Sequence, residues 1–551
     1  MGKWAALAIL AAAQFVMVLD SSVMNVSISQ IVADLDTSIQ GVQLAITAYT
    51  LVMAAFMLAG AKLGDIWGRD RAFAIGLAVY GLGSLTTALS PNLLVLLFGW
   101  SLVEGLGAVL VIPAIGALIA ANYEGRQRAL AYGLIGGVAG AAVAVGPLIG
   151  GWVTTTFTWR LVFVGEVVIV AMIEVFRRRV RTAPRSGPAP HLDGVGVVLS
   201  ASGLALVVLA ILQSSSWGWI LPRDAPTIGG QAITPLGFSV VPFLILIGLG
   251  LLALFATWEE RRERLGRDLL LDLSLLRIET LRGGASTLGA QQLVLMGTFF
   301  VLPVYLQVVL GLDAFETGKR LFPLSVTMLL AALTGPRLAR RLSPKRVSQA
   351  GLVALAIGAA VVLGTIDVQL NAVGFTIGLA MFGVGAGLLA SQLGNVIMSS
   401  VGPSKTSEAG GIQGTAQNLG ASLGTALIGS ILLLGLTAAF VDRISDNPAI
   451  PPEVRTALTD YAKSSGLDVV PVSQAEQLLV TAGLPSDQAA AAADDYGAAL
   501  LDGLRLAVGA VAFLAIVSLW ATRRLPGAPL EDLPQLSVPV DGAAAEVPAS
   551  G

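Results

Sequence analysis

The sequence predicts an all-α integral membrane protein in which fourteen helices cross the bilayer, and three observations support this fold class. Charged residues make up only 12% of the 551 positions, whereas they make up about 25% of a soluble domain. Apolar stretches of about 20 residues, the length of a spanning helix, recur along the whole chain. Basic residues alternate between successive connections, as they do when one membrane face is enriched in Lys and Arg.

The individual spans follow from the apolar stretches. Each stretch exceeds the roughly 9–11 residues of a barrel strand, so helices are predicted. The even-numbered connections hold basic clusters such as GRDR (68–71), and the odd-numbered short ones, such as SPN (90–92), are poor in them. This alternation predicts both termini in the cytoplasm. The spans are predicted at 4–32, 41–63, 72–90, 93–121, 128–152, 158–176, 194–214, 236–258, 283–310, 317–340, 347–367, 371–398, 408–440 and 499–521.

A weak internal repeat organises these spans. Gly60 matches Gly335 at an offset of 275, and Gly146 matches Gly420 at an offset of 274. Two six-helix halves that enclose a central cavity imply alternating access. Short amphipathic pieces in the long external connection at 441–498, here called the excursion, predict small surface helices, with a lid role left open. The predicted units are a first bundle at 1–185, two inserted spans at 186–282, a second bundle at 283–525 with the excursion at 441–498, and a disordered cytoplasmic tail at 526–551.

Composition also excludes several classes of site. The absence of cysteine excludes disulfides, thiolate catalysis and cysteine metal sites. The single histidine, His191, lies in a hydrophilic loop, and a net charge of −2 gives no nucleic-acid footprint. We find no nucleophile–base pair or metal cluster, so the sequence predicts neither an enzyme nor a metal site nor a cofactor.

The first span contains Asp20, although a carboxylate at the centre of a spanning helix costs about 2.5–3.5 kcal/mol. Because polar side chains share its face of the helix, this face is predicted to line a cavity rather than to contact lipid. The residues on this face are Gln14, Met17, Asp20, Ser21, Met24, Asn25 and Ser27.

Glu104 is a second buried acid, near the middle of the fourth span, and Trp100 and Ser101 are predicted on its helix face. Asp20 and Glu104 have no basic neighbour on their own helices, so each is predicted to bind a proton reversibly. The alternative is an acid that only packs helices. Glu166 lies early in the sixth span, close to its external end, where an interfacial and a functional role are both open. Glu174 is expected to pair with Arg177–Arg179.

Two glycine-rich motifs accompany these acids. GAKLGDIWGRDRAF ends the second span, and its Asp65 is expected to pair with a nearby arginine or to cap a helix. AVAVGPLIGGW (142–152) places a proline and several glycines inside the fifth span, where they permit close helix approach. The residues selected from the two motifs are Gly60, Gly64, Asp65, Gly68, Arg69 and Arg71, and Gly146, Pro147, Gly150 and Gly151.

Together with LDSSVMNVSI in the first span, these motifs resemble the fourteen-span drug/proton antiporter branch of the major facilitator superfamily. The resemblance implies proton-driven export of amphipathic, often cationic compounds, with Asp20 as the coupling carboxylate. It also implies that Asp65, Gly68 and Arg69 serve a cytoplasmic gate linking the two halves. The glycines and Pro147 of AVGPLIGGW would form the bend and close packing of the antiporter motif.

The chain departs from this branch at two places, and its internal repeat adds an asymmetry in the ninth span. The pattern RxxQG appears as SLVEG, so Ser101 replaces an arginine and Glu104 a glutamine. Glu166 stands where asparagine is common in the sixth span. The ninth span offers Leu295, Met296 and Thr298 but no acid opposite Asp20. Ion coupling is therefore predicted in the first half alone.

The sequence as a whole predicts a proton-coupled exporter of amphipathic, cationic drugs or toxic compounds in a bacterial-type plasma membrane. The proton motive force is its energy source, and its partners are the substrate, protons and the lipid bilayer, with a monomeric chain. Trp100, Met17 and Met24 are predicted to provide cation–π and adaptable apolar contacts. One alternative is export of a specific metabolite, antibiotic or lipid, and a remote one is a non-transporting sensor or scaffold.

Overall fold

The computed structural model describes residues 2–528 except 124, 178–190, 224, 229–230, 340 and 403–404. The predicted tail from residue 529 onward, and all of the predicted basic connection at 177–181 but Arg177, lie outside the described residues. The helices are α1 Gly2–Val26, α2 Ile28–Asp34, α3 Ile39–Trp67, α4 Arg69–Ala88, α5 Leu93–Leu96, α6 Gly105–Asn122, α7 Gly125–Thr156, α8 Arg160–Phe176, α9 Gly194–Trp217, α10 Val241–Arg264, α11 Glu279–Val304, α12 Ala314–Ala339, α13 Pro344–Leu363, α14 Ala372–Ser399, α15 Thr406–Asp446, α16 Pro452–Ser465, α17 Val472–Thr481 and α18 Ser486–Ser518.

Short elements complete the chain. A π-helical segment, Leu97–Glu104, joins α5 to α6, and a second one, Tyr305–Val309, follows α11. The strands β1 (Thr227–Ile228) and β2 (Gln231–Ala232) pair antiparallel in the connection between α9 and α10. The 3₁₀ turns are Pro235–Gly237, Leu273–Arg277 and Ala521–Arg524.

Twelve helical segments within the described residues are long and apolar enough to cross a membrane, so the chain is a multi-pass membrane protein. They match twelve of the fourteen predicted spans. The other two predicted spans, 72–90 and 158–176, are helical as α4 and α8. However, α8 has only 17 residues, and α4 begins with the charged residues Arg69, Asp70 and Arg71. The count of fourteen stays a prediction.

Several helix ends differ from the sequence prediction. The first span, expected at 4–32, is interrupted at Ser27, where α1 ends and α2 begins. The helix expected to end at 440 continues to Asp446, and the one expected to start at 499 starts at Ser486. These additional turns are amphipathic rather than apolar, so hydropathy does not detect them. The two surface helices predicted in the excursion are present as α16 and α17.

The glycines matched by the internal repeat pack against equivalent helices. Those of the first half contact the helices of spans 4 and 1, and their counterparts contact the helices of spans 12 and 9. In each case an added Cβ atom would meet the neighbouring helix within 3 Å. The pairs are Gly60 with Val109, Gly335 with Ser391, Gly146 with Ser22, and Gly420 with Gly289. The inserted helix α9 packs against α10, α3 and α15, and therefore lies between the two bundles.

Two glycines bring α4 against the π-helical segment and α6. A Cβ atom on Gly83 would lie 2.6 Å from Cβ of Glu104, and one on Gly107 would lie 2.7 Å from Cα of Tyr80. Real side-chain atoms cannot occupy these positions without a shift of backbone. Glycine at both sites therefore sets the distance between α4 and the helix that contains Glu104.

We expect Gly107→Ala to reduce the free energy of unfolding by about 1–3 kcal/mol, because the added methyl group overpacks against backbone of α4. Gly116→Ala is the matched control, since it lies in the same helix and an added Cβ meets nothing within 4 Å. The control should be neutral or stabilising by about 0.5–1 kcal/mol. Thermal unfolding of the purified chain in detergent measures both, and equal effects would contradict the packing argument.

Candidate functional site

Three carboxyl groups from distant parts of the chain meet inside the first bundle. Asp20 comes from α1, Glu104 from the end of the π-helical segment and Glu166 from α8. One oxygen of each lies within 4.8 Å of the other two. Asp20 and Glu104 are 0% exposed and Glu166 is 1% exposed. We call these three residues the acid cluster.

An aromatic pair holds Asp20. The indole Nε1–H of Trp100 donates to both carboxylate oxygens, at 2.8 and 2.9 Å. The ring of Trp100 stacks on Tyr49 of α3, with 4.8 Å between centroids and an interplanar angle of 4°. Asp20 is therefore held by Trp100 of the fourth span, and Trp100 is in turn held by its stacking on Tyr49 of the second span.

The π-helical segment changes the faces predicted for the fourth span. Its wider turns direct Trp100 to Asp20 on α1, while the Ser101 hydroxyl donates to the carbonyl of Ala45 on α3 at 2.9 Å. Glu104 instead lies next to Gly83 of α4. Trp100 and Glu104 both reach the acid cluster, as their predicted shared face requires. Ser101 lies on another face, because the prediction for it assumed regular α-helical spacing.

Glu166 is buried in the acid cluster, so the interfacial alternative does not hold. Its Oε2 accepts hydrogen bonds from Ser84 at 2.7 Å and from Tyr80 at 3.3 Å, both on α4. The sequence pattern indicated neither of these residues, nor Tyr49. The available signal was weak, since each is an uncharged polar residue within an apolar span.

The start of α8, at the opposite end of the helix from Arg177, is anchored by polar contacts. Trp159 donates to Asp34 at 2.9 Å, and Arg160 pairs with the same carboxylate and donates to the carbonyl of Ser90 at 2.7 Å. Burial opposes ionisation of Asp34, but the hydrogen bonds from Arg160 and Trp159 outweigh it and hold its pKa below the usual value. This anchor fixes the helix that positions Glu166.

Charge in the acid cluster has no fixed counter-ion among the described residues, because no salt bridge joins any of the three acids to Lys or Arg. Two unit charges 4.8 Å apart repel by roughly 3.5 kcal/mol at an effective dielectric constant of about 20. Three carboxylates cannot all stay ionised there at such a cost. Protons or a bound cation must balance at least part of their charge.

The rest of the polar face of α1 is covered rather than open. Met17 and Met24 are packed into the apolar core, and Gln14 is partly buried. The side chain of Asn25 donates to the carbonyl of Ser21 at 2.7 Å, one turn earlier. The expected cavity-lining face is therefore closed at Asp20 in this structure.

Asp65 and Arg69 of the loop motif make contacts within the first bundle. Asp65 pairs with Arg69 at 3.7 Å, as expected, and Arg69 donates to the carbonyl of Ala117 at 3.4 Å. Gly68 has φ +93°, a conformation that favours glycine. The tail of α8 joins this network, since Arg177 pairs with Asp70 at 3.3 Å and with Glu174, the latter pairing as expected. A link between the two halves through this motif stays a prediction.

Two further positions of the loop motif make fewer contacts. Arg71 is exposed. An added Cβ on Gly64 would have ordinary contact distance to Ala72, at 3.9 Å, so close packing does not require glycine there.

The proline–glycine motif contacts both halves. Gly146 and Gly150 pack against α1, where a Cβ on Gly150 would lie 2.7 Å from Cγ2 of Val23. Gly151 packs against Ala314 of α12, and the carbonyl of Pro147 faces Gly318 on the same helix. The helix α7 continues through Pro147. The motif thus places α7 between α1 of the first half and α12 of the second.

Comparison with known proteins identifies the family. The model of the Major Facilitator Superfamily matches residues 10–223 and 224–425. The chain is 29% identical over 446 residues to the probable actinorhodin transporter of Streptomyces coelicolor, covering 79% of this chain and 74% of that protein. It is 29% identical over 451 residues to the puromycin resistance protein of Streptomyces alboniger, covering 81% and 85%. It is 26% identical over 513 residues to the multidrug efflux pump LfrA of Mycolicibacterium smegmatis, covering 93% and 96%.

Solved structures share the fold at low sequence identity. The human organic anion transporter MFSD10 aligns with a TM-score of 0.54 at 12% identity, covering 94% of this chain and 97% of that one. A bacterial homolog of the human lysosomal transporter Spinster, in an inward-facing and unoccupied conformation, aligns with a TM-score of 0.58 at 13% identity and the same coverage. These likenesses concern the fold.

We expect Trp100→Phe and Asp20→Ala to be strongly coupled in their effects on stability. A hydrogen bond to a charged group contributes about 1.5–3 kcal/mol, so the double variant should lose about 0.5–3 kcal/mol less than the sum of the single variants. Trp159→Phe is the matched control, because Trp159 donates to Asp34 instead. Its effect should add to that of Asp20→Ala within about 0.5 kcal/mol. Thermal unfolding in detergent measures the cycle, and an additive Trp100–Asp20 pair would refute the contact.

Proposed function

Because this chain belongs to the Major Facilitator Superfamily, a family of membrane transporters, we propose that it exports amphipathic, cationic drugs or toxic compounds in exchange for protons. The proposed transporter works by alternating access in a bacterial plasma membrane. It has fourteen spans, with both termini in the cytoplasm, and acts as a monomer.

The acid cluster is the observation that carries the proton-coupled part of this proposal. Ionisable residues inside membrane spans are costly, and they mark ion pathways and proton relays. Here three carboxyl groups from spans 1, 4 and 6 lie within 4.8 Å, and none forms a salt bridge with a described Lys or Arg. A site of this kind accepts positive charge, either as protons or as a cationic substrate. Competition between the two is the basis of antiport.

The driving force follows from the same charges. Inward movement of a proton across the membrane potential releases about 2.3 kcal/mol per 100 mV. In the proposed cycle the site takes up protons while open to the outside and releases them when a cation binds from the inside. Coupling requires that the acid cluster cannot bind its full number of protons and the substrate at the same time.

The names of the relatives support export of drugs. They include a multidrug efflux pump, a puromycin resistance protein and a tetracenomycin C resistance and export protein. Such relatives favour a small organic substrate over an inorganic ion. Their identities of 26–29% do not select one compound.

A second candidate is export of one antibiotic rather than of many drugs. It is favoured by similarity to the probable actinorhodin transporter and to the cephamycin export protein of Amycolatopsis lactamdurans, the latter 29% identical over 436 residues. A transport screen that compares cationic dyes with secondary metabolites separates the two. Saturable export of a single compound class would favour this second candidate.

We expect Asp20→Asn and Glu104→Gln to reduce pH-driven accumulation of tetraphenylphosphonium in proteoliposomes about tenfold, the factor for a loss of about 1.4 kcal/mol. Each change removes one carboxyl group from the acid cluster. Glu174→Gln is the control, because Glu174 already pairs with Arg177 near the end of α8. It should leave accumulation unchanged. Wild-type accumulation in both acid variants would show that the acid cluster does not couple transport to protons.

The proposed topology can be tested because the chain contains no cysteine. Single cysteines at Leu221 and Tyr461, which are 71% and 59% exposed, should react with a membrane-impermeant maleimide in whole cells. Cysteines at Arg264 and Gly527, both exposed, should react only after the membrane is opened. Labelling of Gly527→Cys in intact cells would contradict a cytoplasmic C-terminus.

A further inference from the structure

The hydrogen bonds of the acid cluster are distributed unevenly. Both oxygens of Asp20 accept from Trp100, at 2.8 and 2.9 Å. Oε2 of Glu166 accepts from Ser84 and Tyr80, at 2.7 and 3.3 Å. The hydroxyl and indole donors around the cluster therefore stabilise negative charge on Asp20 and on one oxygen of Glu166.

Three oxygens remain without a partner. They are Oε1 and Oε2 of Glu104 and Oε1 of Glu166, all buried. A buried carboxylate without donors is strongly destabilised, whereas a protonated carboxyl group has one O–H to donate. A single proton on Glu104, donated to Oε1 of Glu166, gives a partner to both glutamates. Asp20 is a poorer acceptor for this proton, because both of its oxygens are already engaged.

The surroundings leave no other described group to take this proton. The titratable groups that face the two glutamates are Asp20 of α1, Tyr49 of α3 and Tyr80 of α4. The tyrosines act as donors or ring partners, and Tyr80 already contacts Glu166. Gly83 packs directly against Glu104, with 2.6 Å between its added Cβ and that of Glu104, so the carboxyl group is held in place from α4.

We propose that Glu104 and Glu166 form an acid–carboxylate pair that holds one proton between them and serves as the proton store, while Asp20 stays the anion that attracts the cationic substrate. The proton is bonded to an oxygen of Glu104 and hydrogen-bonded to Oε1 of Glu166. Uptake of a second proton forms an O–H bond on Glu166 and changes the charge of the pair from −1 to 0, and release reverses this step. The inference rests on the proposed antiport function and assigns its proton to a residue pair.

Infrared difference spectroscopy of the purified full chain tests this assignment, because protonated carboxyl groups and carboxylates absorb at different frequencies. The difference between wild type and Glu104→Gln should contain one protonated-carboxyl band per chain. Glu166→Gln should shift that band rather than remove it, since the proton loses its carboxylate acceptor. Asp20→Asn and the control Glu174→Gln should each remove carboxylate bands only.

Ser84→Ala provides a second route that spares the acids, in case Glu104→Gln does not fold. Loss of one donor to Glu166 makes that carboxylate a stronger acceptor, so the band should shift while Glu104 keeps its proton. The proposal would be overturned if the protonated-carboxyl band disappeared in Asp20→Asn. It would also be overturned if the band stayed unchanged in all three of the other variants, Glu104→Gln, Glu166→Gln and Ser84→Ala. Saturable Mn²⁺ binding that each of the three acid substitutions abolishes would overturn it as well, because the cluster would then be a metal site.

Transport separates this inference from the proposed function. In Glu166→Gln proteoliposomes, exchange of labelled for unlabelled tetraphenylphosphonium should persist, while its pH-driven accumulation falls about tenfold. If wild-type chain shows no pH-driven transport but the infrared pattern holds, the antiport fails and the shared proton stands. If transport is pH-driven but Glu166→Gln behaves as wild type, the pair is not the proton store.

Discussion

The architecture of the first bundle depends on the burial of three carboxyl groups that have no counter-ion among the described residues. Each burial is unfavourable alone, because desolvation of a charge is repaid only by partners of opposite charge or by hydrogen bonds. The partners here are neutral donors: Trp100, Ser84 and Tyr80. Neutral donors stabilise charge partially and leave it exchangeable, whereas a fixed arginine would hold the carboxylates permanently ionised. The replacement of the family's span 4 arginine by Ser101 therefore fits a site in which protons, rather than a cationic side chain, balance the charge.

Helix packing brings the acids together. Close approach of α4 at Gly83 and Gly107 places Tyr80 and Ser84 beside Glu104. The anchor of Trp159 and Arg160 on Asp34 sets the start of α8, so that Glu166 reaches the same donors. The π-helical segment supplies the remaining requirement, because it brings Trp100 and Glu104 to the acid cluster while Ser101 turns to α3. Such segments occur frequently at functional sites.

The sequence alone predicted those features that depend on one helix at a time. Hydropathy located the spans, and the single-helix pattern identified Asp20 and Glu104 as acids needing polar surroundings. The repeat paired glycines that pack against equivalent helices. The position of Glu166 beside Glu104 could not be predicted, because it depends on the relative rotation of α8, α4 and the fourth span. The π-helical segment was also missed, since no residue type marks it, and regular spacing then gave the wrong face for Ser101.

The asymmetry between the halves determines how a change of charge in the acid cluster can affect the second half. In the second half the helix equivalent to α1 is α11, whose Gln291 donates to the carbonyl of Ala386 within the same bundle. In the described part of the chain, the buried hydrogen bonds across the two halves join neutral groups: Gln307 donates to the carbonyl of Val26, and Gln43 to that of Thr425. Protonation in the first half thus leaves these interface bonds chemically unchanged.

In the proposed cycle a change of charge in the acid cluster must therefore act on the interface by moving helices. The direct route is α1, because it contains Asp20 and contacts α7 through Gly146 and Gly150. Since α7 also packs against α12, a shift of α1 reaches the second half through small residues that permit sliding.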